Sequence, residues 1–351
     1  MTQTPQPSIA LPQQVFGMAV LNGWIEEAIQ VAASYGIADL LQDDPRSVAE
    51  LAAATQTHSD SLYRLLRALA SVGFFEETNT DATIQEHRFA QTPLSLYLCQ
   101  DVPGSMYAMV RLYASEWQHT SWSQLAYSIR TGQPAFDHIF GKSCWQYLAE
   151  DRPDEGAIFH QSMSAFSQTI NTAIVQAYDF SGIQTLMDVG GGQGTFLFAI
   201  LQAHPALQGI LFDHTQAIEE ARELIAQARM EERCRVMAGD FFEFLPSSQK
   251  VDACILKQVL HDWDDHHCLT ILANCRRMLE PGKKVLIAEL VLPDSHAPTF
   301  GAFIDLEMLL NMNGRERTEQ QYRILLEQSG FSLRRIVPTA SSHSIIEGIA
   351  V

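Results

Sequence analysis

The first 105 residues contain no lysine and only four arginines, against twelve acidic residues. The whole chain is similarly short of positive charge: 23 lysines and arginines face 41 aspartates and glutamates, which gives a formal net charge of −18 over 351 residues. A surface with this surplus of negative charge repels phosphate backbones and anionic lipid headgroups. The composition therefore argues against nucleic acid and membrane surfaces as partners.

Long apolar runs and paired cysteines are also missing. No stretch reaches the ~18–20 apolar residues that span a bilayer, and residues 1–12 carry no basic flank or apolar signal core. No Cys-x-x-Cys pair occurs among the six cysteines, which are Cys99, Cys144, Cys234, Cys254, Cys268 and Cys275. We therefore expect a cytoplasmic protein with free thiols, and neither a disulfide framework nor a metal site.

The N-terminal pattern predicts a winged-helix-like module over residues 1–105. One predicted helix opens with Ser47 and has Glu50 three residues later, the spacing of a capping box. The next helix starts at the cap residue Asp60 and stops at a glycine, and residues 74–89 then suggest a short hairpin or wing. Such modules often bind DNA, but the negative charge around this one favours contact with protein.

Three large apolar residues in the first predicted helix recur every four positions, namely Phe16, Val20 and Trp24. This spacing places them on one helix face. Two interpretations stay open: the face forms the seam of a homodimer, or it is buried inside a single chain.

Residues 106–175 are predicted to form a helical connector. Most of its aromatic residues are expected in the core, and a subset can wall a pocket for a flat ligand. These aromatic residues are Tyr107, Tyr113, Trp117, Trp122, Phe136, Phe140 and Trp145.

From residue 183 onward, strand and helix signals alternate, with helical stretches between the first five strands. This order predicts a parallel sheet with helices on both faces, whose ligands bind at the carboxyl ends of the strands. Residues 176–351 would form this α/β domain. The predicted strands are Leu186–Val189, Gly209–Phe212, Cys234–Ala238, Ala253–Lys257, Lys284–Leu290, Phe331–Pro338 and Ser344–Val351.

A glycine-rich turn follows the first of these strands. The apolar run ends in Asp188, and four of the next six residues are glycines, including Gly190 and Gly192. Glycine permits positive φ angles and lets a ligand approach the bare backbone at the start of the next helix. Alone, such a turn is a weak signal for a nucleotide-like cofactor.

The next two strand ends carry further acids. Asp213 follows the second strand, where a carboxylate can accept hydrogen bonds from both ribose hydroxyls; the alternative role is a helix cap. Asp240 and Phe241 follow the third, where they can bind an adenine amino group and cover the ring; a loop acid and a core phenylalanine are the alternatives.

The fourth strand leads to His261, the position expected of a general base, because a histidine pKa lies near neutrality. Asp264 or Asp265 can cap the next helix, and His266 and His267 are expected on its surface. These acids and imidazoles are too contiguous to converge easily on a metal ion.

Two acids stand near this histidine in the predicted fold. Glu289 lies in an otherwise apolar fifth strand, and a buried carboxylate is expensive unless it is paired. We expect it to pair with the imidazole of His261, which would orient the ring and support its charge. Glu316 precedes a helix capped by Thr318, and its alternative role is a solvated charged turn.

These residues resemble the small-molecule O-methyltransferases of the class I S-adenosylmethionine-dependent group, in the branch of the plant caffeate, hydroxyindole and bacterial natural-product enzymes. The resemblance covers nearly the whole chain, with five separated motifs in order. It implies a winged-helix-like dimerisation domain followed by a Rossmann-like methyltransferase domain with a seven-stranded, mostly parallel sheet. It also implies S-adenosylmethionine as cofactor, S-adenosylhomocysteine as product, a small-molecule acceptor and a homodimer.

The resemblance implies a role for each matching residue. His261, in Leu-His-Asp-Trp, matches the catalytic base, and Glu289 and Glu316 match the acids that flank it. Where plant members have Asn-Pro-Gly-Gly, this chain has Asn-Met-Asn-Gly at 311–314, so the loop before Glu316 can differ in shape. The substrate pocket would include Met163, Ser164 and Trp263. The cofactor would contact Asp188, Gly190, Gly192, Asp213, Asp240, Phe241 and Lys257.

The reaction implied is transfer of a methyl group to a phenolic or enolic oxygen, with His261 removing the proton. Alternatives are a C-, N- or carboxylate methyltransferase and a cofactor-bound relative that does not methylate, such as a cyclase or hydroxylase. A DNA-binding regulator and a nicotinamide-dependent dehydrogenase fit the charge and the late strands less well. The sequence does not identify the acceptor.

Overall fold

The computed structural model describes residues 12–79, 83–243, 251–294 and 299–351. The chain folds as two compact units. Unit 1 takes the chain up to Thr120 together with Arg152–Ala165, and unit 2 takes Ser121–Asp151 together with Phe166–Val351. Residues 106–175 are thus shared between the units, and the division into domains at 105 and 175 stays a prediction.

Fifteen α-helices lie in the described residues. In chain order, α1 to α15 are Pro12–Ser34, Ile37–Leu40, Val48–Thr55, Ser59–Ser71, Tyr107–Tyr113, Glu116–Ser123, Leu125–Thr131, Ala135–Phe140, Cys144–Gln146, Pro153–Ala177, Thr195–Ala203, Thr215–Gln227, Asp265–Met278, Gly301–Asn311 and Glu319–Gln328. Short 3₁₀-helices span Ile84–Glu86, Ser95–Leu98 and Leu260–Asp262, and a π-helical turn spans Tyr147–Asp151.

Eleven strands lie in the same residues. In chain order, β1 to β11 are Arg46–Ser47, Phe75–Glu77, Arg88–Gln91, Thr185–Val189, Gln208–Asp213, Cys234–Ala238, Val251–Lys257, Leu279–Leu292, Arg317–Thr318, Phe331–Pro338 and His343–Ala350.

Unit 1 contains the predicted helices and wing. Ser47 caps α3, because its hydroxyl accepts from the amide of Glu50 while the Glu50 carboxylate accepts from the amide of Ser47, so the predicted capping box is confirmed. The helix predicted to be capped by Asp60 has His58 at its N-cap instead, and Asp60 lies in its first turn. β2 and β3 pair antiparallel, and β1 adds to β3.

The predicted apolar face of α1 is described only at Trp24. The side chains of Phe16 and Val20 lie outside the described residues. Trp24 exposes 74% of its surface, so burial inside its own chain is the wrong interpretation for this residue.

Unit 2 is built on one sheet with the strand order β10-β11-β8-β7-β4-β5-β6, and β9 adds to β8. The pairs from β8 to β6 along this order are parallel, and β10 and β11 form an antiparallel hairpin against β8. From β4 the chain first builds towards β6 and then returns on the other side of β4 to add β7. Ligands of open α/β sheets bind at such a switch point, beside the strand ends.

Both faces of this sheet are buried. Successive strand residues point to opposite faces, so Leu186 packs in one apolar cluster with α11 and α12, while Met187 packs in the other with α13 and α15. Near-continuous apolar strands are what a parallel sheet covered on both faces requires.

The predicted strands are all present, and several are longer than predicted. β7 starts at Val251 instead of Ala253, and β8 runs over Leu279–Leu292 instead of Lys284–Leu290. Helices follow β4, β5 and β7 as predicted. Between β6 and β7, residues 239–243 form no helix, and 244–250 lie outside the described residues. In the part of the chain that the structure describes, no helix is long and apolar enough to cross a membrane.

Candidate active site

The glycine turn connects β4 to α11 with three glycines in the left-handed region: Gly190, Gly192 and Gly194 have φ values of 74°, 58° and 84°. A Cβ on Gly190 would lie 2.9 Å from Val259 Cγ2, and one on Gly191 would lie 2.6 Å from Asp188 Oδ2. Side chains at these two positions would collide with neighbouring groups. The turn therefore has to be built from glycine, and the open space beside Gly192 leaves its backbone accessible.

Asp213 at the end of β5 is joined to this turn. Its Oδ2 accepts from the amide of Gly192 at 2.7 Å, and its Oδ1 accepts from the amide of His214 at 2.7 Å. The alternative role of helix cap is wrong, because His214 occupies the N-cap of α12. The carboxylate is part-exposed and lies beside the glycines, as the predicted cofactor site requires.

Asp240 and Phe241 follow β6 and approach the turn from another side. Asp240 Oδ1 accepts from the amide of Phe242 at 2.8 Å, which folds the loop back. The Phe241 ring lies 3.5 Å from the position a Cβ would take on Gly190. The Trp263 ring packs edge-to-face on that of Phe242, with 4.7 Å between the ring centroids, and its centroid lies 6.1 Å from that of Phe241. Trp263 therefore forms one aromatic group with Phe241 and Phe242.

Asp188 is a buried carboxylate directly beneath the glycine turn. Both of its oxygens lack a hydrogen-bond partner among the residues that the structure describes. Burial raises the pKa of Asp188 to about 7, opposed by the ammonium of Lys257. An orphaned buried carboxylate is costly, and a bound cofactor that donates hydrogen bonds into the turn would remove that cost.

Lys257, at the end of β7, is the cation that lowers the pKa of Asp188 against the effect of burial. Its Nζ donates to Ser167 Oγ at 2.6 Å and to Gln258 Oε1 at 3.0 Å. Burial lowers the pKa of Lys257 to about 8, and Asp188 opposes the shift. Among the described residues, no group of three or more histidine, cysteine or carboxylate side chains is placed to hold a metal ion.

His261 lies on the short 3₁₀-helix just after β7. Its Nδ1 is 3.0 Å from Glu316 Oε1, and its Nε2 is 3.5 Å from Asp262 Oδ1. Burial disfavours the charged ring, but the carboxylates of Asp262, Glu316 and Glu289 outweigh it and raise the pKa of His261 to about 9. The side chain is largely buried and remains 15% exposed.

Glu289 holds the backbone of this turn, and the predicted pairing of Glu289 with the imidazole is wrong. Its Oε1 accepts from the amides of Val259, Leu260 and His261 at 3.1, 2.7 and 3.2 Å. Its Oε2 accepts from the hydroxyl of Tyr322 at 2.6 Å. Burial raises the pKa of Glu289, opposed by His261 and the Tyr322 hydroxyl. The carboxylate is thus paired as expected, but with different donors.

Glu316 is the acid that hydrogen-bonds to the imidazole. It is buried, so the alternative of a solvated turn is wrong. Its amide donates to Asp305 Oδ1 at 2.8 Å, and the amide of Arg315 donates to the carbonyl of His261 at 2.8 Å. A Cβ on Gly314 would collide with that same carbonyl. The Asn-Met-Asn-Gly loop therefore wraps closely around the histidine.

The remaining predicted residues lie at the edges of this arrangement or apart from it. Asp264 caps α13 by accepting from the amide of His267 at 2.9 Å. His266 and His267 are exposed, as predicted. Met163 is half-buried and Ser164 exposed, both on the part of α10 that belongs to unit 1, so their predicted place in a pocket stays a prediction.

Four residues of the site were missed from the sequence: Asp262, Asp305, Arg317 and Tyr322. Only Asp262 carried a usable signal, because it directly follows the predicted base. The others reach the site through tertiary contacts: Arg317 with the turn at residues 259–263 that carries His261 (the histidine turn), Asp305 with Glu316, and Tyr322 with Glu289.

The fold and site together define a Rossmann-like enzyme with a glycine-rich turn at its strand ends and a histidine that is paired with a carboxylate. Two family models match the chain: an O-methyltransferase domain over residues 122–332 and an O-methyltransferase dimerisation domain over residues 18–101. The chain therefore belongs to the O-methyltransferase family, and it is an S-adenosylmethionine-dependent methyltransferase.

Known proteins support this membership over nearly their full lengths. Phenazine O-methyltransferase PhzM of Lysobacter antibioticus is 38% identical over 339 residues, which cover 96% of this chain and 96% of that protein. The solved structure of mitomycin 7-O-methyltransferase MmcR is 36% identical with a TM-score of 0.85, covering 97% of this chain and 98% of that one.

One structural relative is named as a methyltransferase that acts on nitrogen instead of oxygen. The N,N-8-amino-8-demethyl-D-riboflavin dimethyltransferase RosA of Streptomyces davawensis is 30% identical with a TM-score of 0.80, covering 97% of this chain and 100% of that one. Likeness across the family therefore does not by itself separate oxygen from nitrogen acceptors.

Proposed function

We propose that this protein methylates a hydroxyl oxygen of a small, flat metabolite, with His261 as the general base. When bound, S-adenosylmethionine supplies the methyl group on a positively charged sulfur. The observation that carries the proposal is the ring of His261, which hydrogen-bonds to a buried glutamate at one nitrogen and stays partly exposed.

Removal of the proton from the acceptor is the step that the residues of this chain must catalyse. A neutral phenol is a poor nucleophile, and a base that removes its proton is worth about 10²–10⁴ in rate. The imidazole accepts that proton through Nε2 when Nδ1 carries the hydrogen that bonds to Glu316. The resulting imidazolium is stabilised by Glu316 and Asp262, whose oxygens lie 3.0 and 3.5 Å from the ring nitrogens.

The residues at the strand ends fit the cofactor. We assign the ribose hydroxyls to Asp213, the adenine to Asp240 and Phe241, and the methionyl part to the backbone at Gly190 and Gly192. The orphaned Asp188 and the buried ammonium beside it support this assignment, because a zwitterionic methionyl group has a cation for one and an anion for the other.

An amine acceptor is the second candidate, favoured by the similarity to the riboflavin dimethyltransferase. An amine needs a base less, because its lone pair attacks before the proton is lost. The imidazole held by two carboxylates therefore favours a hydroxyl acceptor.

Matched acceptors separate the two candidates. The purified protein would be incubated with methyl-labelled S-adenosylmethionine and pairs of flat aromatic compounds that differ only in a hydroxyl or an amino group at one position. We expect label in the hydroxyl member of at least one pair. Transfer to amines alone would contradict the proposal.

We also propose a homodimer through unit 1. The dimerisation model matches within this unit, and Trp24 leaves a large apolar ring exposed there. Tryptophan is enriched in protein–protein interfaces relative to the rest of the protein surface.

A further inference from the structure

A buried guanidinium holds the carbonyl side of the histidine turn. Arg317 is fully buried, and its Nη1 donates to the carbonyl of Leu260 at 2.9 Å while its Nη2 donates to that of Trp263 at 2.7 Å. These two residues bracket His261 and Asp262 in the chain. The guanidinium therefore fixes the turn on both sides of the imidazole.

The charge of this arginine is balanced at the start of α13. Asp265 Oδ1 accepts from Nε of Arg317 at 3.1 Å and from Nη2 at 2.9 Å. The guanidinium thus makes four hydrogen bonds in one plane, which matches the fixed fork of donors that arginine presents. A lysine ammonium is a single point with three donors and cannot reach all of these acceptors from one position.

The backbone of Arg317 is fixed as firmly as its side chain. Strand β9 pairs with β8 so that Arg317 lies opposite Val291, two residues beyond Glu289. The next residue, Thr318, caps α15 in a capping box with Gln321. Because Glu316 directly precedes Arg317, this backbone also sets where the Glu316 carboxylate lies relative to the turn.

We propose that Arg317 is a positioning residue for methyl transfer, which sets the distance between His261 and Glu316 by holding the histidine turn against the segment that carries the glutamate. The inference rests on the proposed role of His261 as base. Glu289 accepts hydrogen bonds from the amides of the turn, and Arg317 donates hydrogen bonds to its carbonyls. The backbone that carries the imidazole is therefore fixed through both its N–H and its C=O groups.

The test compares Arg317→Met and Arg317→Lys with a matched control, Arg276→Met. Arg276 also donates to three carbonyls, those of Gly330, Leu279 and Val351, but from the other end of α13. Asp265, which binds Arg317, and Arg276 lie about 16 Å apart along that helix, by its rise per residue. The control measures what loss of a carbonyl-bound guanidinium does to the fold alone.

We expect Arg317→Met to lower kcat by roughly 10–100-fold, because misplacing a catalytic group by about 1 Å has effects of this size. The KM for the acceptor and the Kd for S-adenosylmethionine should change little. Arg317→Lys should recover only part of the loss, and Arg276→Met should keep the wild-type kcat. Asp265→Ala removes the exposed anchor of Arg317 and should lower kcat in the same direction, which provides a second variant if Arg317→Met does not fold.

A spectroscopic measurement separates this inference from the proposed function. Titration of ring-labelled histidine by NMR reports the pKa of His261 without any acceptor, and we expect Arg317→Met and Asp265→Ala to move it from about 9 towards its ordinary value of about 6.5. If the wild type methylates nothing but this shift occurs, the proposed function fails and the positioning role stands. Wild-type kcat and an unmoved titration in both variants would overturn the inference, as would equal losses of kcat in Arg317→Met and Arg276→Met.

Discussion

At the scale of single residues, two glutamates of the site have different partners, which the sequence alone did not distinguish. Glu316 bonds to the imidazole and Glu289 bonds to the backbone beneath it. Glu316 raises the pKa of the ring through a hydrogen bond and through its charge, whereas Glu289 acts on that pKa through its charge alone and fixes the place of the ring through the backbone. Removing each carboxylate should therefore have different effects on the pH dependence of the reaction.

The pH profile follows from the raised pKa of His261. The ring is protonated below a pH of about 9 and acts as a base only above it, so kcat/KM should rise with pH up to that value and then level off. The same pairing stabilises the fold below the ordinary histidine pKa of about 6.5 and fades as the pH rises through the folded value.

Glu316→Gln tests this assignment. Without the carboxylate the imidazolium loses a charged partner, so the rise in kcat/KM should move to lower pH and the maximal rate should fall. Glu319→Gln serves as the matched control, because Glu319 pairs with Arg323 on the surface of α15. A profile that stays in place in Glu316→Gln would contradict the role of this carboxylate.

At the scale of elements, the ends of β4, β5, β6 and β7 position the glycine turn, Asp213, Asp240 and His261. The succession of strands along the chain and the capping box were predicted from the sequence, because apolar periodicity and cap residues act locally. The glycine turn was predicted for the same reason: φ angles and close contacts require glycine at particular positions.

The hydrogen bonds around His261 could not be predicted in the same way. Glu289 reaches three amides about thirty residues away because β7 pairs with β8 in one register, with Lys257 opposite Ala288. Gln258 then adopts a φ of 54°, which turns the chain sharply towards the carboxylate. Neither the register nor a left-handed glutamine has a sequence signal. Arg317 was missed for the same reason, since its acceptors are carbonyls of a distant turn.

The glycine turn provides a test at this scale. A Cβ in Gly191→Ala would lie 2.5 Å from Leu211 Cδ1 and 2.6 Å from Asp188 Oδ2, so the turn must shift. We expect a large loss of S-adenosylmethionine affinity in calorimetry, with the sheet still folded by circular dichroism. Unchanged affinity would show that the cofactor does not depend on this turn.

At the scale of the whole molecule, the two units match different family models. The dimerisation model falls within unit 1, and most of the O-methyltransferase model falls within unit 2. The formal net charge of −18 disfavours contact with phosphate surfaces. Because two copies of this chain carry the same negative charge, we expect the proposed assembly through unit 1 to rest on apolar contacts. Among the described apolar side chains of α1, Trp24 is the most exposed.

Trp24→Asp tests the proposed homodimer. A charge in the middle of an apolar interface is left without a partner, so we expect the protein to sediment as a monomer while unit 1 stays folded. Trp145→Asp is the control, since Trp145 is also exposed but lies in unit 2. Equal masses for the wild type and Trp24→Asp would rule this residue out of the interface.

The proposed role of His261 is to remove the proton of the acceptor, and the rate of single-turnover methyl transfer by His261→Gln measures this role. Glutamine keeps a polar side chain in the turn but cannot serve as a base. We expect a rate lower by about 10²–10⁴-fold, with S-adenosylmethionine binding unchanged in calorimetry. A rate near that of the wild type, with the cofactor bound equally well, would contradict it.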